Sequence, residues 1–116
     1  MTEITLVDKS ITLDKLKKIA VERYGDLVKA VVNVNQGIMA IGGEMHADEE
    51  QFLLEQGSNQ DDLWGINIYP EQPRDSWIEF DSMINIRPKQ GNRSRGVENE
   101  VLQNKIRQIV DSLIKI

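Results

Sequence analysis

The first clear periodicity lies in TLDKLKKIAVERY, residues 12–24, where Leu13, Leu16, Ala20 and Tyr24 fall near one helical face and Ile19 lies beside them. Thr12 suits the cap of a first turn and Gly25 the end of a last one, so this stretch predicts a helix. The pattern then changes. LVKAVVNV (27–34) and IMAIGG (38–43) are rich in β-branched residues and flank Asn35-Gln36-Gly37. Glycine takes a positive backbone angle there at little steric cost, and the pair predicts a hairpin. HADEEQFLLEQ (46–56) sets three acidic residues at a helix start, where backbone amides point outward, ahead of Phe52, Leu53 and Leu54, with Gly57 to close it.

Strand spacing returns in LWGINIY, where Trp64, Ile66 and Ile68 alternate with Gly65, Asn67 and Tyr69. PEQPRDS reads as a turn. WIEFDSMINIR reads as a fourth strand with Ile78, Phe80, Ile84 and Ile86 on one parity, and Trp77, Glu79, Asp81, Met83, Asn85 and Arg87 on the other. Pro88 ends it, because proline lacks the ladder donor. A last helix from about Val97 carries Val101, Leu102, Ile106, Ile109, Val110, Leu113 and Ile114 as a wide apolar band that needs covering. The order is α-β-β-α-β-β-α. It predicts an α+β fold: an antiparallel sheet of about four strands and three helices, the helices mainly on one face. Residues 1–116 are expected to form a single α+β domain.

Composition narrows the function classes. With 40% hydrophobic and 28% charged residues the chain is in the globular range. A net charge of -5 disfavours binding to nucleic acid, whose phosphates attract clustered positive charge. The sequence has no cysteine, which excludes disulfides, thiolate nucleophiles and the usual structural zinc sites. No apolar run reaches about 18 residues and the start lacks a signal-peptide pattern, so a cytoplasmic protein without membrane contact is the expectation.

The stretches GIMAIGGEMHADEE, DLWGINIYP and IEFDSMINIRPKQGNRSRGVE resemble a family of small prokaryotic proteins, a conserved domain of unknown function. The resemblance covers most of the chain, from the first helix to the last. It implies kinship without an activity, and no catalytic residue comes with it.

Candidate chemistry therefore rests on the residues themselves. In QGNRSRGVE, Arg93 and Arg95 lie between Gly91 and Gly96, just ahead of the expected last helix. A guanidinium fork takes two anion oxygens at once and helix-start amides add attraction, so the loop suits a phosphate or carboxylate. Asn92 and Ser94 can add hydrogen bonds, and Arg87 can approach from the strand end. The plainer alternative pairs the arginines with Glu98 or Glu100 and gives Asn92 or Ser94 a capping role. Glu79 and Asp81, two apart on a strand, would point from one face about 7 Å apart and can divide acid and base roles or hold a divalent cation. Asn67 and Asn85 share that polar parity and can orient a ligand. His46 is the sole histidine and the one side chain suited to proton exchange near neutral pH.

Together these residues suggest binding of an anionic small molecule, a phosphate-containing one being the preferred example, followed by metal-assisted hydrolysis if chemistry occurs, with His46, Glu79 and Asp81 as its catalytic residues. The sequence leaves cofactor and metal open, although a single histidine makes zinc catalysis a poor fit. The rival reading is a protein-interaction or small oligomeric module that uses Tyr69, Trp77, Met83 and a charged rim.

Overall fold

The computed structural model describes residues 3–116. Helix α1 (Leu13–Arg23) begins where the Thr12 hydroxyl accepts from the Lys15 amide at 3.2 Å, and Gly25 follows it at φ +94°. The hairpin is present as β3 (Val28–Asn33) and β4 (Ile38–Ile41), with Gly37 at φ +70° in the turn. Helix α2 (His46–Glu55) and strand β5 (Leu63–Ile68) fall where the periodicity places them.

Strand β3 is the middle of an antiparallel sheet. Its order is β1 (Thr5–Val7), β4, β3, β5, β6 (Ile78–Glu79). Two further short strands, β2 (Ile11–Thr12) and β7 (Ile114–Lys115), form a separate parallel pair. The fold is α+β, with three helices and, in the main sheet, five strands rather than four among the described residues. Strands β1, β2 and β7 have only two or three residues, too few to produce a readable alternation.

Alternate residues of a strand face opposite sides, and here both sides are covered. Val28, Ala30 and Val32 of β3, with Ile66 and Ile68 of β5, pack against Leu16 and Ala20 of α1 and against Ile106, Val110 and Leu113 of α3 (Glu100–Leu113). Val31, Ala40 and Leu63 point the other way and meet Leu53 of α2. Two helices thus share one face, and α2 alone covers the second.

Three expectations need correction. The last helix starts at Glu100, where Asn99 accepts from the Leu102 amide at 3.1 Å; Val97 is buried ahead of it, Val101 is exposed, and Ile114 has left the helix for β7. Trp77 does not share the polar parity of Glu79, because its backbone is helical (φ -66°, ψ -36°) and the ring enters the core, which removes it from an exposed interaction patch.

The fourth strand is the third correction. Pairing stops after Glu79. Beyond it the Ser82 hydroxyl accepts from the Ile84 amide and starts a 3₁₀ turn over Met83–Asn85. The Asn85 carboxamide then accepts from the Gly65 amide at 2.8 Å and donates to the Gly65 carbonyl at 2.9 Å. A side-chain amide has the donor and acceptor of a peptide group, so Asn85 satisfies β5 where a neighbouring strand would otherwise be needed. Gly65 is required opposite: a Cβ there would lie 2.5 Å from the Ser82 hydroxyl oxygen.

Candidate functional site

The sheet register sets three polar residues in one row on the α2 side. Lys29 of β3 lies opposite Asn67 of β5, and Asn67 opposite Glu79 of β6. Asn67 donates through Nδ2 to Glu79 Oε1 at 2.8 Å, and the Tyr69 hydroxyl donates to the same oxygen at 3.2 Å. A carboxylate only accepts, so the amide must turn its nitrogen toward Glu79 and its oxygen away. Asn67 Oδ1 is buried with no partner among the described residues. The Lys29 ammonium has no carboxylate within salt-bridge distance among those residues and lies 5.4 Å from the centre of the Tyr24 ring.

His46 opens α2 and lies over the next rung, its Cδ2 3.2 Å from where a Gly65 Cβ would be. Its Nε2 is 2.7 Å from the Ile66 carbonyl, which can only accept. Nε2 therefore carries the proton in the neutral ring, and Nδ1 keeps its lone pair. Burial pushes the His46 pKa below its ordinary 6.5; the Ile66 carbonyl opposes this, Lys29 and Arg95 add to it, and Asp81 opposes it. The ring is neutral at pH 7.

Asp81 and Arg95 form an ion pair, Oδ1 to Nε at 2.6 Å, at the edge of this group. It is partly exposed, so its own contribution to stability is small. Its consequence is positional: the pair fixes the arginine loop on the same side of the sheet as His46.

The loop is otherwise built from internal bonds. Asn92 donates to the carbonyls of Asn85, Ser94 and Gly96 and accepts from the Glu98 amide. The successive amides of Arg93 and Ser94 both donate to Glu98 Oε2 at 2.8 Å, with the Ser94 hydroxyl assisting, and these bonds hold the Glu98 carboxyl below its ordinary pKa. Glu98 thus occupies the anion position that the loop amides create. The Arg93 side chain has no partner among the described residues.

Arg87 stands apart from this group. Its guanidinium donates to the Ile84 and Leu63 carbonyls, reaches Glu50 at 3.5 Å and stacks 4.8 Å from the Trp64 ring. Those bonds brace the end of β5. Asn85 and Asn92 likewise spend their side chains on the backbone.

Two residues of the site, Lys29 and Glu49, are absent from the sequence-derived set. Glu49 is fully buried on the inner face of α2; Oε2 accepts from the Gly43 amide at 2.9 Å, and Oε1 has no partner among the described residues. Burial pushes its pKa well above 4.5, against the Gly43 bond and the nearby Lys29, with Asp48 adding to the rise. The signal lay in the spacing: His46, Glu49 and Leu53 follow i, i+3, i+7 and are all buried. Gly43 accommodates it, since a Cβ there would be 2.8 Å from Glu49 Cγ.

The structure therefore gathers His46, Asn67, Glu79, Asp81 and Arg95 on one side, adds Lys29 and Glu49, and leaves Arg87 elsewhere. Among the described residues no three histidine or acidic side chains are grouped to hold a metal ion. A groove of about 450 Å³ lined by Trp77, Ile78 and Val110 lies on the α1/α3 side and holds none of these groups. Its base is apolar and its rim carries Arg74, Asp75, Arg107 and Asp111, of which Arg74 is paired with Asp111 and Arg107 lies over the Phe80 ring.

The chain belongs to the family described as "Protein of unknown function (DUF5674)", whose model matches residues 5–113. No curated protein and no solved structure matches it. No helix among the described residues is long and apolar enough to cross a membrane.

Proposed function

We propose that the protein binds a small anionic molecule, a phosphorylated one being the preferred example, on the α2 side of the sheet. Arg95 and Lys29 supply positive charge to the anion and Arg93 adds to it from the loop, while the acceptors left on Asn67 and His46 serve donor groups elsewhere on the ligand. One observation carries this reading. Arg95 holds Asp81 through Nε, and its two terminal nitrogens have no partner among the described residues while lying close enough to affect His46. A guanidinium fixed through one edge keeps two nitrogens for anion oxygens, and its orientation entropy is already lost.

A second reading adds proton transfer, because His46 is neutral and its Nδ1 has no hydrogen-bond partner among the described residues. In that case Nδ1 accepts a proton from a bound hydroxyl or water. Metal-assisted hydrolysis asks more of the site. Glu79 is held by Asn67 and Tyr69, and Asp81 by Arg95, so a cation would have to displace those partners.

The test is titration of the protein with inorganic phosphate and pyrophosphate, followed by calorimetry and by amide shifts. Saturable binding with at least a tenfold loss in both Arg95→Ala and Lys29→Ala is expected, on the scale of one lost charged contact. Absence of saturable binding, or binding indifferent to both substitutions, overturns the reading.

A further inference from the structure

The row across the sheet carries acceptors as well as cations, and their arrangement limits what the anion can be. Asn67 is oriented by Glu79, and Oδ1 is left with no donor. Glu79 uses Oε1 for both of its bonds, so Oε2 also lacks a donor among the described residues, and the side chain is exposed. Adjacent strands therefore carry two oxygens without donors among the described residues, the enclosed amide oxygen of Asn67 and the exposed second carboxylate oxygen of Glu79. On the strand to the other side of Asn67 is Lys29, whose ammonium has no carboxylate within salt-bridge distance among the described residues, and Arg95 contributes its free terminal nitrogens.

A simple anion answers only half of this arrangement. It would satisfy Lys29 and Arg95 and leave Asn67 Oδ1 buried without a donor. An ammonium group has three donors and a charge opposite to that of Glu79. Resting on the anion-binding reading, we infer that the ligand is a small zwitterion: a phosphate or carboxylate held by Lys29 and Arg95, joined through a short linker to a primary ammonium held by Asn67 Oδ1 and Glu79. The amide oxygen is enclosed, so engagement of Asn67 includes a side-chain rearrangement at the rim.

Matched probes separate this inference from the reading beneath it. Ethyl phosphate and 2-aminoethyl phosphate differ by one amino group, as do propionate and 3-aminopropionate. The amino member of each pair is expected to bind at least tenfold more tightly and to shift the Asn67 side-chain amide resonances. In Glu79→Gln, which keeps an acceptor for Asn67 and Tyr69, the preference should fall severalfold while ethyl phosphate affinity is unchanged or rises. Asn67→Leu should do the same, with a thermal melt to verify the fold. Equal binding within each pair overturns the zwitterion and leaves the anion site standing. Failure of every probe to bind overturns both, and a preference that survives in both variants overturns the role assigned to Asn67 and Glu79.

Discussion

At the scale of single residues, the site is defined by where protons reside. His46 has a pKa below 6.5 chiefly because its ring is buried, and Arg95 and Lys29 reinforce the effect. Removing one of those cations should raise the value, and removing Asp81 should lower it further. An NMR titration of the His46 ring in wild type, Arg95→Ala and Asp81→Asn reads both signs; a ring that titrates identically in all three would mean the pair lies too far away to matter. Since the folded pKa is depressed, the neutral ring contributes stability that is present above the unfolded value and lost as pH falls through the folded one.

Glu49 has the opposite sign. Its folded pKa is raised, so the protonated carboxyl stabilises the native state below its unfolded value near 4.5, and that contribution declines as pH rises toward the folded value. Glu49→Gln preserves an acceptor for the Gly43 amide and removes the titration. Thermal melts across that range should fall with pH in wild type and stay flatter in the variant. Parallel curves would contradict the assignment of the buried proton to Glu49.

At the scale of elements, the segment after Glu79 is where pattern and structure part. The alternation of WIEFDSMINIR is real, but it is decided by two interactions that span sequence distance: Asn85 with the Gly65 backbone, and Ser82 against the missing Gly65 Cβ. Period alone carries no information on whether a side-chain amide replaces a strand. Asn85→Ala should leave the Gly65 amide and carbonyl buried without partners and cost about 2–4 kcal/mol. Gly65→Ala should cost about 1–3 kcal/mol through overpacking on Ser82. In Gly65→Ala/Ser82→Gly the loss should be partly restored, since the close atoms belong to the Ser82 side chain. Chemical denaturation measures all three, and an additive double variant would show that Ser82 is not what Gly65 accommodates.

Elements whose signals are local were readable for the same reason that this one was not. Thr12 caps α1, Gly37 turns the hairpin, and His46 to Gln56 announce α2 within a few residues. The candidate site was legible in part: His46, Asn67, Glu79 and Asp81 do share a face. Lys29 and Glu49 escaped because a lysine in a hydrophobic strand and one acid among three at a helix start look like solvated charge until the register and the helix face are known. Arg87 misled for the converse reason. Its place after a strand suggested a free cation, whereas its bonds to Leu63, Ile84 and Trp64 make it part of the frame.

At the scale of the whole molecule, the two sides of the sheet are unequal. Among the described residues, eighteen buried apolar side chains unite α1, α3 and the sheet, whereas four hold the α2 side, where Glu49, His46 and Asn67 are also buried. Apolar burial supplies most of the favourable free energy, at about 25 cal/mol per Å², and the stabilisation carried by the protonated Glu49 carboxyl is lost as pH rises. Opening of α2 alone should therefore require less free energy than global unfolding. Native-state hydrogen exchange should find the amides of Phe52–Glu55 less protected than those of β3, β5 and the middle of α3. Glu49→Gln should raise protection in α2 at neutral and alkaline pH and leave α3 unchanged. Equal protection in α2 and α3, or a Glu49→Gln effect spread evenly over the chain, would show that the layers open as one unit and that the α2 side is not the part able to move when a ligand arrives.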